Sequence, residues 1–354
     1  MGELEHVLSH LLIPSQKTVQ QFTGSKTLST AMMAARTATG ATPHPLGLTP
    51  FGDGNNGSHR PLILSNDKEE AKEDANGGRP SFAKILSDAR QPLFRPGGRI
   101  GMHQLHDWSG LNVGDNALEI ASEVGQTGGM ALAHRFGCHI TLTNNSSTHF
   151  VEAHRFAEQQ GLAREQWKIK ILDMIDVDSE FSNEGNSDKQ FDCAIVEQAV
   201  LSSCSHSDKR LILQGIARHS RQILLHEYCI LQEAKRAKED NGDLVDVLQM
   251  QADLSHVLGQ EMHLMFPTEW KQLLCSVVPN LQVTQFQTGP VRLWNPTTIF
   301  EEEDGLAGGL NNAIRTMWNI ATHEELRLRV QEFQDVLDNY KQHIGYCLIQ
   351  ARCS

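Results

Sequence analysis

Residues 117–146, ALEIASEVGQTGGMALAHRFGCHITLTNNS, decide the fold of this chain. The apolar run 117–121 predicts a strand, 130–136 a short helix, and the β-branched run 139–143 a second strand. The turn between the first strand and the helix contains three glycines, which allow the backbone to pass close to a ligand. The stretch therefore predicts a β-α-β unit with a ligand at the carboxyl end of its first strand. An ordinary β-α-β unit with a tight turn is the alternative.

The positions of these glycines disfavour two common nucleotide-binding motifs. A dinucleotide fingerprint needs G-x-G-x-x-G directly after the strand, and no such triplet follows Ala121. The phosphate-binding loop G-x-x-x-x-G-K-[ST] is absent from the whole sequence. An NAD-dependent oxidoreductase is therefore a minor alternative.

The turn resembles motif I of the Rossmann-like S-adenosylmethionine-dependent methyltransferases, an acidic residue followed by alternating glycines, [DE]-x-G-x-G-x-G. In this register Glu119 is the acid and Gly125 the last glycine, whereas Ala121 and Glu123 occupy positions where glycine is usual. The resemblance implies that backbone N–H groups at the start of the next helix face the cofactor. The residues that it assigns to the cofactor in this segment are Glu119, Ala121, Ser122, Gly125, Thr127 and Gly128.

The next two strands carry further residues that the resemblance assigns to the cofactor. Asn144, with Asn145 beside it, stands where the family usually has an acid that binds the ribose hydroxyls. An amide can still donate to and accept from a diol. The third strand is followed by Asp173, which the resemblance places against the exocyclic amine of adenine, and by Met174, which would pack on the ring.

The fourth and fifth strands supply the residues that the resemblance places where cofactor and acceptor meet. Glu197 and Gln198 follow the fourth strand, and both are assigned to the cofactor. Methyl transfer is an in-line displacement, so alignment supplies most of the rate and a base is needed only where the acceptor must lose a proton. The candidates for that catalytic role are Glu197, His226, Glu227 and Tyr228.

The resemblance implies an α/β fold with a Rossmann-like, seven-stranded, mostly parallel sheet, helices on both faces and an antiparallel last strand. Helical cap insertions are expected near 232–275 and 289–343, with the sixth strand at 283–287 and the last at 345–353. The NNSS turn after the second strand and the RPGG run at 95–98 most resemble the cyclopropane fatty acid synthase and small-molecule methyltransferase branch.

The first insertion carries apolar residues at helical spacing, which is more typical of core than of a pocket. In the resembling family this region caps the acceptor, so Met250, His256, Met262 and His263 are candidate pocket residues. Thr268 is the predicted N-cap of the following helix. The second insertion ends in a charged helical pattern that fits a lid, a surface between copies in a homo-oligomer, or a solvated helix.

Composition predicts a largely disordered extension, 1–80, and the resemblance implies that the methyltransferase-type domain covers 81–354. The extension is rich in turn-forming residues and poor in bulky apolar ones, so it cannot offset its chain entropy. Glu3 and Glu5 argue against a secretory signal, and no run of 18 apolar residues exists. A cytoplasmic protein is expected, and the Ser/Thr-rich segment 16–42 leaves organelle targeting as an alternative.

Charge and cysteine content restrict the partners. A net charge of −12 disfavours nucleic acid, because phosphate binding needs concentrated positive charge. A small neutral or cationic acceptor fits better. The seven cysteines are scattered, which indicates buried thiols in a reducing compartment and no zinc site. His103 and His106, three residues apart, are predicted to lie on a solvated helix face rather than to bind a metal.

The resemblance thus implies S-adenosylmethionine-dependent methyl transfer to a small-molecule acceptor. The alternative is a catalytically inactive, methyltransferase-like binding or regulatory protein. It is motivated by Ala121, Glu123 and Asn144, the three positions at which the chain departs from the family pattern.

Overall fold

Seven strands form one sheet in a computed structural model of the chain. The structure describes residues 80–82, 85–86, 96–120, 128–145, 153–154, 157–158, 161–182, 190–197, 199–231, 247–291, 316 and 318–353. Most of the predicted N-terminal extension, together with Ala121, Ser122, Glu123, Gly125, Thr127 and Gln198, lies outside these residues. The strands are β1 (Asn116–Glu119), β2 (His139–Asn144), β3 (Trp167–Ile171), β4 (Cys193–Val196), β5 (Gln222–Ile230), β6 (Leu281–Pro290) and β7 (Ile344–Cys353).

The strand order is β3-β2-β1-β4-β5-β7-β6. Strands β1 to β5 pair in parallel, and β7 runs antiparallel between β5 and β6. The chain moves outward from β1 through β2 to β3 and then returns to the other side of β1 with β4. In α/β folds such a reversal marks the crevice that binds ligands, here at the carboxyl ends of β1 and β4. The predicted mostly parallel, seven-stranded sheet is confirmed.

The seven named helices of the described residues are α1 (Gly98–Ser109), α2 (Gly128–Phe136), α3 (Val177–Ser182), α4 (His206–His219), α5 (Val247–Leu258), α6 (Pro267–Val277) and α7 (Glu324–Tyr340). Helices α1 and α2 pack on one face of the sheet through Leu105 and Met130. Helices α3, α4 and α6 pack on the other face through Phe181, Ile212 and Trp270. All nine positions of β5 are buried, because helices cover both of its faces.

Helices α5 and α7 form a third apolar cluster with the segment that precedes α1. The ring of Phe82 packs edge-on against Phe333 of α7, with centroids 5.7 Å apart. Arg329 of α7 is almost completely buried and donates to the carbonyl oxygens of Pro80 and Val257. One face of α7 is therefore core, and the three alternatives of a lid, a surface between copies and a solvated helix apply only to its other face.

The start of α6 differs from the prediction. Phe266, not Thr268, is the N-cap, and its N–H donates to the Glu269 carboxylate at 2.7 Å. Pro267 takes the first helical position, where its missing N–H costs no hydrogen bond, so the helix begins one residue before Thr268. Separately, none of the helices in the described part of the chain is long and apolar enough to span a bilayer.

Candidate active site

Two buried carboxylates meet the first turn of α2 at the crevice. Glu119 is the last residue of β1 and Glu197 directly follows β4, and their exposed fractions are 1% and 2%. A Cβ on Gly128 would overlap the Glu197 carboxylate, and one on Gly129 would lie 2.7 Å from Glu119 Oε2. The two glycines thus make room for the acids. The positive end of the α2 dipole stabilises negative charge here.

His106 of α1 completes this cluster. Its Nε2 lies 3.1 Å from Glu197 Oε1, and both side chains are buried. The expected solvated face for His106 is wrong, because His106 belongs to the same buried stripe as Met102 and Leu105. His103 lies away from this contact and accepts a hydrogen bond from Arg99 Nε at 3.1 Å.

The polar residues after β2 and β3 lie along the same edge of the sheet. Asn144 ends β2 and is buried, whereas Asn145 is exposed. Thr143 Oγ1 donates to the Glu119 carbonyl oxygen at 3.0 Å and so ties the end of β2 to β1. The exposed Asp173 caps a 3₁₀ turn by accepting from Ile175 N at 3.1 Å. Within that turn Met174 is half-buried, 4.0 Å from the Cys204 sulfur.

Successive residues of β5 point to opposite faces of the sheet, so the three candidates there are separated. His226 lies on the α1 side, where its Nε2 accepts from Gly97 N at 3.0 Å. The imidazole is therefore neutral, with its proton on Nδ1. A Cβ on Gly97 would come within 2.8 Å of His226 Nε2 and 2.9 Å of the Tyr346 ring. This close approach explains one glycine of the RPGG run.

Glu227 faces the opposite side and holds the turn that follows Glu197. Its carboxylate accepts from Leu201 N at 3.1 Å, Ser202 N at 2.9 Å and Ser202 Oγ at 2.7 Å. Burial raises the pKa of Glu227 to about 7, against the lowering effect of these hydrogen bonds and of Lys209. A role for Glu227 as base toward an acceptor would require this arrangement to break.

Burial also shifts the pKa values of Lys209 and Tyr228. Burial lowers the pKa of Lys209, whose ammonium donates to Cys204 O at 3.0 Å and His263 O at 2.6 Å. Burial raises the pKa of Tyr228, which packs in the α5–α7 cluster with Met250.

The four candidate pocket residues of the first insertion are not brought together. Met250 and Met262 are core residues, and His256 is exposed. His263 lines a cavity of about 480 Å³ bounded by α4, α5, α6 and the segment before α6. Neither Glu119 nor Glu197 lines this cavity, so it is separate from the carboxylate cluster.

Sequence reasoning did not assign roles to His106 and Ser202. The apolar stripe of α1 held a signal for His106, since it follows Met102 by four residues and Leu105 by one. Nothing local marks Ser202, because its hydrogen-bond partners lie 25 and 26 residues away on β5.

Solved structures share this architecture at low sequence identity. An S-adenosylmethionine-dependent methyltransferase from Geobacter sulfurreducens, in complex with S-adenosylhomocysteine, matches 78% of this chain and 99% of its own at 13% identity and a TM-score of 0.50. Phosphoethanolamine N-methyltransferase 2 from Haemonchus contortus matches 77% of this chain and 57% of its own at 12% identity, TM-score 0.52. The [4+2]-cyclase SpnF matches 76% and 90% at 14% identity, TM-score 0.50.

No family model matches the sequence, and neither does any curated protein. The likeness therefore rests on the course of the chain, through the sheet order and the helices that cover it. This chain has the fold of the S-adenosylmethionine-dependent methyltransferases.

Proposed function

We propose that this protein binds S-adenosylmethionine and transfers its methyl group to a small-molecule acceptor. The observation that carries the proposal is the pair of buried carboxylates, Glu119 and Glu197, at the carboxyl ends of β1 and β4. They lie where the strand order reverses, which is the ligand crevice of this class of sheet.

The charge of the site suits this cofactor, which carries a sulfonium and an ammonium group. Opposite charges about 4 Å apart attract by about 4 kcal/mol at an effective dielectric of about 20. The neighbours from Geobacter sulfurreducens and Haemonchus contortus hold S-adenosylhomocysteine, which supports the same ligand class here. We assign the ribose hydroxyls to Asn144 and the adenine amine to Asp173. The remaining proposed cofactor residues are Ala121, Ser122, Gly125, Thr127, Gly128, Asn145, Met174 and Gln198.

The cofactor supplies an activated methyl group, and the chain aligns the acceptor and takes up its proton. Glu197 and His106 form a buried pair that accepts a proton from the acceptor nucleophile. We further propose a small neutral or cationic acceptor, which the net charge of −12 favours, and a place in the cyclopropane fatty acid synthase and small-molecule methyltransferase branch. The catalytic domain would span 81–354 of a cytoplasmic protein.

Isothermal titration tests the cofactor directly. We expect S-adenosylmethionine and S-adenosylhomocysteine to bind and NAD not to bind. If the Asp173 carboxylate accepts a hydrogen bond from the adenine amine that the bound ligand buries, Asp173→Ala should weaken S-adenosylhomocysteine binding by about 1–3 kcal/mol. Asp176→Ala is the matched control, an exposed acid in the same 3₁₀ turn. Absence of binding to the unaltered protein would overturn the proposal, and equal effects of both variants would overturn the adenine assignment.

The SpnF likeness favours a second candidate, a protein that keeps the fold and does not transfer a methyl group. That neighbour is a [4+2]-cyclase, so this architecture also serves other chemistry. The sequence departures at Ala121, Glu123 and Asn144 point the same way. A radiolabelled methyl-donor assay against a metabolite panel separates the two, because only the methyltransferase labels an acceptor.

A further inference from the structure

The turn that follows Glu197 has an unusual backbone. Ala199, two residues after Glu197, has φ +60°, a left-handed conformation that residues other than glycine rarely adopt. The turn closes on itself, since Ser202 N donates to Ala199 O and Cys204 N to Leu201 O, both at 3.0 Å. Such conformations persist only where their surroundings hold them.

Three consecutive residues of β5, 226–228, form the hydrogen bonds that keep the turn in this conformation. Ala199 N donates to the His226 carbonyl oxygen at 3.0 Å. The Glu227 carboxylate accepts from the peptide N–H groups of the two residues at the centre of the turn, Leu201 and Ser202. Tyr228 N donates to Ser202 Oγ at 3.2 Å, and that hydroxyl donates to Glu227.

The same strand also holds the segment that carries His106. The side chain of His226 accepts from Gly97 N, directly before α1 begins. Farther along α1, His106 contacts Glu197 at 3.1 Å. The turn that follows Glu197 and the start of the helix that carries His106 are therefore both hydrogen-bonded to one short stretch of β5.

We propose that residues 226–228 of β5 form the positioning unit of the Glu197–His106 pair, with Glu227 as its central positioning residue. The carboxylate acts through the turn and does not touch the acceptor. The catalytic meaning of this inference rests on the proposed function, whereas the placement of the pair by β5 does not.

Two variants weaken the hydrogen bonds between Glu227 and the turn to different degrees. Glu227→Gln leaves one oxygen and one NH₂ group, so in either orientation one turn N–H faces another donor. Ser202→Ala removes only the hydroxyl and keeps both peptide contacts. Ser109→Ala is the matched control, a buried serine whose hydroxyl accepts from Leu111 N and whose carbonyl oxygen accepts from Gln222, at the opposite end of β5.

The readouts are amide hydrogen exchange at Leu201 and Ser202, the ring resonance of His106 by NMR, and S-adenosylhomocysteine affinity by calorimetry, on the full chain. For Glu227→Gln we expect exchange at both amides to rise at least tenfold, the His106 resonance to shift and the affinity to fall about fivefold or more. Ser202→Ala should change amide exchange, the His106 resonance and the affinity in the same directions as Glu227→Gln, but by smaller amounts. Ser109→Ala should change none of them.

Faster exchange with an unchanged His106 resonance in Glu227→Gln would overturn the inference, because Glu227 would then hold the turn without placing the pair. If Glu227→Gln does not fold, Ser202→Ala decides by the same criteria. If the unaltered protein does not bind S-adenosylhomocysteine, the proposed function fails. Exchange and the His106 resonance then still decide whether β5 positions the pair.

Discussion

The contact between His106 and Glu197 should be measurable as a coupling free energy in a double-mutant cycle. The single variants are His106→Leu and Glu197→Leu, and the double variant carries both. Each leucine is close in size to the side chain that it replaces, so packing changes stay small. The free energy of unfolding of all four proteins is measured by urea denaturation at pH 7.

The structure sets the expected order. His106→Leu removes the imidazole and leaves a carboxylate in a site that is 2% exposed, so we expect a loss of about 3 kcal/mol. Glu197→Leu leaves the buried His106 imidazole without this partner, which costs about 1–2 kcal/mol. Replacing both partners by apolar groups removes both penalties. The double variant should therefore lose at least about 1.5 kcal/mol less than the sum of the singles.

An exposed ion pair between α1 and α2 provides the control. Asp107 is adjacent to His106 in sequence and forms an ion pair with Arg135, and both of those side chains are substantially exposed. Its cycle should give less than about 1 kcal/mol, because solvent screens it. Additive losses for His106 and Glu197, to within about 0.5 kcal/mol, would refute the buried contact as the link between α1 and the site.

Three further predictions concern the surroundings of the pair. Burial raises the pKa of Glu227 from 4.5 to about 7, so between these pH values the folded state keeps a proton that the unfolded state loses. The free energy of unfolding of the unaltered protein, relative to that of Glu227→Gln, should therefore fall as the pH rises from about 4.5 to 7. Urea denaturation should show a fall of up to about 1.4 kcal/mol per pH unit. A rise across that window would contradict it. Gly97→Ala should destabilise by about 1–3 kcal/mol, because the new Cβ meets His226 and the Tyr346 ring, and an unchanged melting temperature would count against that close approach. Deletion of 1–78 should leave the melting temperature nearly unchanged, because that segment is poor in core-forming residues. Phe82→Ala should lower the free energy of unfolding by about 3–5 kcal/mol, because Phe82 is buried. Equal shifts in melting temperature would disprove the predicted boundary between the extension and the domain.

The sheet was predictable from sequence because parallel strands covered on both faces are written as short apolar runs. Strand β2 covers the predicted run 139–143 and adds Asn144, and the seven-stranded mostly parallel sheet is the one that the family resemblance implied. Strand ends were less certain. The sixth strand extends from Leu281 to Pro290, beyond the predicted 283–287, because pairing with β7 continues past the β-branched residues.

The roles within the site were harder to predict, because they depend on which face of a strand meets which distant segment. The two-residue period of β5 implies that Glu227 lies opposite His226 and Tyr228. It does not say which face adjoins α1, since the contact between Gly97 and His226 spans 129 positions of the chain. A sequence pattern records burial well and records such long-range partners poorly.

The glycines at the start of α2 change the interpretation of the turn. Glycine there was expected to let the backbone approach a ligand, yet at Gly128 and Gly129 the close neighbours are the protein's own carboxylates. The positive end of α2 is thereby balanced by Glu197 and Glu119, and an anionic ligand group at this point would meet two acids. The sulfonium and ammonium of the proposed cofactor, rather than its carboxylate, are the groups that this end of the sheet attracts. Replacing Glu119 by an uncharged residue should therefore lower the affinity for S-adenosylmethionine more than the affinity for S-adenosylhomocysteine, whose thioether sulfur is uncharged. A structural role for Glu119 that does not involve the ligand would not produce this difference.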